Sequence, residues 1–469
     1  MEEDAVHTRR NEILHGSIYR TLFTLGWPVM LSNAFQTVYN LADTYWVSQF
    51  SVISLAAITL SWPMVFFFLS LAIGLSSAGT SLISQYTGAK REEDRDQAAS
   101  QLFSFMLLLS IGLGVTGYVF AGRLVQLLGS TPVVYRQAKI FLEVIFLGMP
   151  ALFTYFAFMT LLRAHGDTKT PMYLSAFTLS INLVLDPFLI FGWAFFPTWG
   201  IMGAAITDVL GRLLAAIIGV YFLFSGRVGI TLHMDFLVPK VRWIKKILSI
   251  AVPTTLSMIT TSIGAIVITF FVALAGPDAL SVYGIGSRVV QILNILIWGI
   301  TSGLAIMIGQ NLGANQIERA REVLTKSLFS IFLTTGIGGI LIFLFRYPIY
   351  RFFVTEPHLI QEGTTFLGMF TLSVPFFGIY MSIISLFRGS GHTTHTMYLA
   401  MIRLWGIRVL FTYLLFIVLD FGVIGIWIAL LLGNLLGGTI ALLWGYIVEW
   451  EERIIKPKKA RSREVRVVE

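Results

Sequence analysis

"SQYTGA" at residues 84–89 returns as "GQNLGA" at residues 309–314, an interval of 225 positions. Other landmarks keep the same interval. "LGWPVMLS" (25–32) lies on "IAVPTTLS" (250–257), which sets Pro28 on Pro253. "LGMP" (147–150) lies on "LSVP" (372–375), and "RAHGDT" (163–168) on "RGSGHT" (388–393). One offset held without a gap over this distance marks an internal duplication. After a small deletion, "WGIMGAAI" (199–206) also resembles "FGVIGIWI" (421–428).

What is duplicated follows from composition. The 469 residues are 56% hydrophobic and 12% charged, and the mean hydropathy is +0.79. Soluble domains carry roughly 25% charged residues, so the chain reads as a polytopic membrane protein. Apolar runs of about 20 residues, enough to span a bilayer, occur near 21–48, 55–86, 98–121, 140–163, 171–192 and 199–224. They recur near 247–275, 281–311, 326–345, 360–387, 396–419 and 422–448. Each has to be helical, because lipid offers no partner to a bare backbone. The expected fold is all-α: twelve transmembrane helices in two pseudo-symmetric six-helix bundles. An N-terminal segment (1–20) precedes an N-lobe (21–224), a linker (225–246), a C-lobe (247–448) and a basic tail (449–469). Six is even, so both halves enter from one side and are related by a pseudo-twofold along the membrane normal.

Lys and Arg crowd the side of the termini and the even-numbered connections, while the other side holds Arg123, Arg136, Lys139, Arg346 and Arg351. The positive-inside rule then places both termini in the cytoplasm, with the cell membrane as location. The net charge of +8 orients loops against anionic lipid, and no nucleic-acid partner is expected. The chain lacks cysteine, which excludes disulfides and thiolate metal sites. The first twenty residues show no signal-peptide pattern.

Such a duplication points to a secondary transporter that rocks about a site between or within its lobes. No G-x-x-x-x-G-K-[ST] motif is present, so an ion gradient is the expected energy source. The polar groups inside the spans are therefore informative. In "QTVYNLADTYW" (36–46), Gln36, Tyr39, Asn40 and Asp43 fall on one helical stripe. In "SINLVLDPFL" (180–189), Asn182 precedes Asp186 by one turn. A charged Asp at mid-bilayer costs about 2.5–3.5 kcal/mol, so these acids face a cavity, a partner or a proton. Two neighbouring carboxylates raise each other's pKa and can share a proton. With Asn182 and the Thr207 hydroxyl they also form a set of hard oxygen ligands for a small monovalent cation. The competing reading makes both acids hydrogen-bonded glue between helices. Pro28 is a bending point for the first helix. Asp208 pairs with Arg212 one turn on, a structural role.

At the 225 offset Asp43 falls on Ile268 and Asp186 on Phe411, so acid-based coupling belongs to the N-lobe. The C-lobe carries Arg288, Arg403 and Arg408 instead, for which a structural role is expected. His392 and His395 form a weak H-x-x-H signal. No nucleophile–base arrangement is present, so no enzyme and no cofactor beyond the coupling ion are expected.

Taken together, "WPVMLSNAFQTVYNLADTYWVSQF", the Gln-x-x-Gly-Ala span ends, the Arg-x-x-Gly loops, "NLVLDPFLIFG" and "GIMGAAIT" resemble the multidrug and toxic compound extrusion (MATE) transporters. The resemblance covers residues 20–448. It implies two bundles in a V around a central cavity, exporting small cationic or amphiphilic compounds in exchange for protons or sodium. In the archaeal and related branch it implies a coupling-ion pocket, matched here by Asp43, Asn182 and Asp186, with Thr207 completing it and Tyr39, Gln36 and Asn40 around it. If the ion is sodium, Asp43, Asn182, Asp186 and Thr207 are its ligands. No obligatory protein partner is implied, and a monomer is expected. Lipid and lipid-linked glycan flippases of the same superfamily remain the alternative.

Overall fold

The computed structural model describes residues 2–194 and 196–455, so the basic tail from 456 onward lies outside the described residues. The helices are α1 (Glu2–His15), α2 (Ile18–Phe50), α3 (Val52–Gly88), α4 (Glu92–Leu127), α5 (Pro132–Leu147), α6 (Met149–His165), α7 (Lys169–Phe191) and α8 (Ile201–Ser225) in the first half. The second half has α9 (Val241–Leu274), α10 (Pro277–Gly313), α11 (Ile317–Phe353), α12 (Pro357–Ser390), α13 (Thr394–Val418) and α14 (Gly422–Ile447). Ten of these are long and apolar enough to span a membrane alone, and α5 with α6 forms an eleventh span bent by 49°. The twelfth is α2. Its 33 residues reach about 50 Å, and its polar stripe is what sets its composition apart.

The fourth span, expected as one helix, is thus two. Pro150 cannot be the cause by itself, because Pro375 sits at the matching place inside the unbroken α12. The difference is Gly148, where α12 has Ser373. Val209 of α8 occupies the space that a Cβ at Gly148 would need.

The duplication reaches down to backbone dihedrals. Lys90 and Asn315, one after each Gln-x-x-Gly-Ala motif, both turn the chain with positive φ, at 54° and 62°. Gly166 and Gly391 end the fourth and tenth spans in the left-handed region, at 105° and 89°, where glycine is at ease.

The two halves meet at the face where these motifs lie. Gln85 donates from Nε2 to the carbonyls of Ser390 (2.9 Å) and Gly389 (3.4 Å), in the loop of the other half. Gln310 returns the contact by donating to the Ala164 carbonyl at 3.2 Å. A Cβ at Gly88 would overlap the Gln310 carbonyl, and a Cβ at Gly313 would overlap that of Gln85. The repeated motifs are therefore two halves of one seal. Helix α1 clamps it from outside: Arg9 pairs with Asp167 at 2.9 Å, Arg10 donates to the Gly88 carbonyl at 2.6 Å, and Arg319 donates to the Gly16 carbonyl at 2.6 Å.

The apolar cores are exchanged at this face as well. Ile18, Leu22 and Leu25 at the root of α2 pack with α10 and α12 of the second half. Ile247, Ile250 and Ala251 at the root of α9 pack with the first half. Farther along, α2 belongs to its own half, where Val47 packs with Ile190 and Ala204.

Replacing Gly88 or Gly313 by valine should force the seal open. The chain has no cysteine, so a single Ser84→Cys reports on it; Ser84 is buried at the interface. Maleimide labelling of that cysteine in reconstituted vesicles should be several times faster with either valine than with both glycines.

Candidate coupling pocket

Gly203, Thr207 and Gly211 recur at four-residue spacing on α8, so they share one face. A Cβ at Gly203 would collide with the Leu189 carbonyl of α7, and one at Gly211 would lie 2.8 Å from Asn182 Nδ2. The two glycines let α7 and α8 approach at backbone distance. Thr207, midway between them, is thereby carried to Asp186.

The Thr207 hydroxyl donates to Asp186 Oδ1 and also lies 2.8 Å from the Ala204 carbonyl. Asn182 donates from Nδ2 to the Thr178 carbonyl at 2.8 Å. All three side chains are buried. Two oxygens are left over: Asn182 Oδ1 and Asp186 Oδ2 are buried with no hydrogen-bond partner. An orphaned buried acceptor costs roughly 1–3 kcal/mol, more for a charged group. A proton on Asp186, or a small cation bound by these hard oxygen donors, removes that cost.

Asp43 stands half-buried on α2, opposite. Asp186, Asp208 and Arg212 are near enough to act on it electrostatically, but it makes no hydrogen bond or ion pair among the described residues. The four-residue stripe does not share one environment. Gln36 and Asn40 are exposed and bonded to each other at 3.1 Å, while Tyr39 and Asp43 turn inward. The physical reason is angular: on a helix, residues three apart lie about 60° apart, which sets Tyr39 and Asp43 to one side of Gln36 and Asn40.

Tyr39 lines a cavity of about 30 Å³, room for one or two waters. Ser32, Phe35 and Gln36 line it from α2, Tyr155 from α6, Ser175, Thr178, Leu179 and Asn182 from α7, and Asp208 and Arg212 from α8. Asn182 joins the two parts, with one edge in the cavity and the other beside Asp186. Asp43, Asp186 and Thr207 lie outside this lining. Sequence reading set Asp208 and Arg212 aside as an ion pair. They are one, at 2.5 Å, yet both also face the cavity. Tyr155 was missed; its recurrence as Tyr380 at the 225 offset was the available signal. Because Arg212 neutralises Asp208, the carboxylates of Asp43 and Asp186 are the ones left without a counter-charge.

A two-lobed helical membrane transporter, with an acid-lined pocket in one lobe, is what this fold and site define. The MatE family profile matches the chain twice, at residues 28–188 and 253–414, and the chain belongs to that family. It is a membrane transporter and not an enzyme. It is 28% identical over 421 residues to the probable multidrug resistance protein YoeA of Bacillus subtilis, covering 88% of this chain and 90% of that one. It is 28% identical over 367 residues to the FAD transporter of Shewanella oneidensis, covering 78% and 80%. Its structure resembles that of a MOP superfamily transporter from Pyrococcus furiosus, with a TM-score of 0.85 at 24% identity over 93% of this chain and 96% of that one.

Arg212→Gln should lower stability by about 1–3 kcal/mol, since it strands Asp208 beside the cavity. The double variant Asp208→Asn/Arg212→Gln should recover most of the loss. Thermal unfolding of the detergent-purified variants checks both.

Proposed function

We propose that the chain is a secondary active exporter of small amphiphilic compounds, working as a monomer by antiport against protons or sodium. The observation that carries this reading is the pair of orphaned oxygens, Asn182 Oδ1 and Asp186 Oδ2, beside the uncompensated Asp43. Its relatives' names support the exporter part: one is called a probable multidrug resistance protein, another an FAD transporter.

With the basic face in the cytoplasm, the seal closes the cytoplasmic side, and the exposed Gln36 and Asn40 belong to a cleft open to the outside. The coupling ion enters from there. Protonation of Asp186 and Asp43, or a sodium held by Asp43, Asn182, Asp186 and Thr207, removes the charge that holds an open, hydrated pocket. Helix α2 then bends at Pro28, the N-lobe loses its affinity for substrate, and the ion leaves inward after the lobes rock. An ion shifts such an equilibrium only by binding one state better than the other. The orphaned acceptors provide that difference if the other state pairs them with protein donors.

Efflux of ethidium from everted vesicles, with the pH and sodium gradients imposed separately, tests the proposal. Asp186→Asn and Asp43→Asn should each reduce gradient-driven transport to the level of vesicles lacking the protein, and the gradient that drives the parent names the ion. Unimpaired transport by both variants overturns the mechanism. Absence of dye transport by the parent, with scrambling of a labelled lipid in the same vesicles, moves the flippase reading to the front.

A further inference from the structure

The C-lobe counterparts of the residues that line the N-lobe cavity include a cation, Arg403, and no acid. At the 225 offset, Tyr155 of the cavity falls on Tyr380 and Thr178 on Arg403. Past the small deletion the offset is 222, and Arg212 falls on Asn434. These C-lobe residues are again together. Arg403 and Arg408 both donate through Nη2 to Asn434 Oδ1, at 2.8 and 3.1 Å. Asn434 donates in turn to Ser373 Oγ at 2.9 Å. The Arg403 guanidinium lies 4.7 Å from the ring centres of both Phe377 and Tyr380.

Local structure is adapted to this cluster. Residues 402–409 are π-helical, and i→i+5 bonding sets residues five apart one above the other. An α-helix would send Arg403 and Arg408 to different faces. Across from them, Gly433 and Gly437 of α14 leave the space that the two arginine stems fill; a Cβ at either would overlap them.

The cations are nevertheless short of partners. Arg403 is 5% exposed, and the Nε groups of Arg403 and Arg408 are buried without a hydrogen bond. Neither makes a salt bridge among the described residues. Two guanidinium groups offer ten N–H donors, and the groups that meet them are neutral: Asn434 Oδ1, the Tyr380 hydroxyl and two ring faces. Buried charge of this kind is costly unless an opposite charge meets it. Arg408 is partly exposed, so the cluster is not closed off.

We propose that Arg403 and Arg408 form an anion site, and that the transported compounds include amphiphiles bearing a phosphate, sulfonate or carboxylate group seated there. This deepens the exporter reading by naming a substrate class, and it rests on that reading for the transport step but not for binding.

Flavin mononucleotide and riboflavin share one ring system and differ by a phosphate, and both are fluorescent. The purified full-length protein should bind the mononucleotide more tightly than riboflavin by about tenfold, the worth of about 1.4 kcal/mol, with inorganic phosphate competing. Arg403→Gln/Arg408→Gln should bring the two flavins to equal affinity, while the Lys/Lys variant keeps part of the preference; unaltered riboflavin binding shows that the Gln/Gln protein is folded. In nanodiscs, weaker mononucleotide binding in phosphatidylglycerol than in phosphatidylcholine assigns the site to a lipid headgroup, and equal binding assigns it to a soluble anion. Equal affinity for the two flavins in the parent, binding of neither, or a preference that survives Gln/Gln overturns the proposal. Gradient-driven ethidium efflux measured alongside separates the two readings: its persistence with no anion preference defeats this inference alone, and its absence with the preference intact defeats the exporter reading.

Discussion

Two glutamines, each donating to a backbone carbonyl of the opposite half, hold the molecule in the state described here. Gln85 and Gln310 are buried, and their reach depends on glycines that let the paired helix ends cross at contact distance. Farther along α2, Gln36 and Asn40 are exposed and Tyr39 lines the small cavity. A pair of amide hydrogen bonds is worth only about 1–3 kcal/mol net.

Much of this was legible in the sequence because membrane spans are simple to read: an apolar run of sufficient length has to be a helix. The duplication was legible because the offset stayed at 225 through the fourth-span loop. The break between α5 and α6 was not, since Pro150 has an equivalent that leaves α12 whole, and Gly148 acts through Val209 on another helix. In the pocket, Asn182 and Asp186 share a face through their own spacing, so local reading places them together. Thr207 could be matched by resemblance, whereas its contact with Asp186 depends on how closely α7 and α8 approach. The cavity membership of Asp208 and Arg212 was hidden by the adequacy of a local explanation. An i, i+4 pair accounts for both residues without saying where they point.

The two lobes have diverged electrostatically on a shared frame. Where the N-lobe places acids and an arginine that cancels one of them, the C-lobe places arginines and no acid. The tyrosines at 155 and 380 are common to both, so the difference lies in side chains on the first, fifth and sixth spans and on their counterparts in the other half. On the proposed transport, a compound held between the lobes meets acids on one side and arginines on the other.

The exchanged cores have a mechanical consequence. The root of α2 is embedded in one body and its tip in the other, with Pro28 and the carboxylate of Asp43 between the embedded ends or just short of the second. It is a beam clamped at both ends, and in the proposed transport cycle the two clamps move against each other. Rotation of the lobes cannot leave such a beam straight; the displacement is absorbed as curvature along its free length. Curvature at α2 repositions Asp43 directly, without a relay through other side chains. Helix α9 is clamped in the same manner and carries no acid.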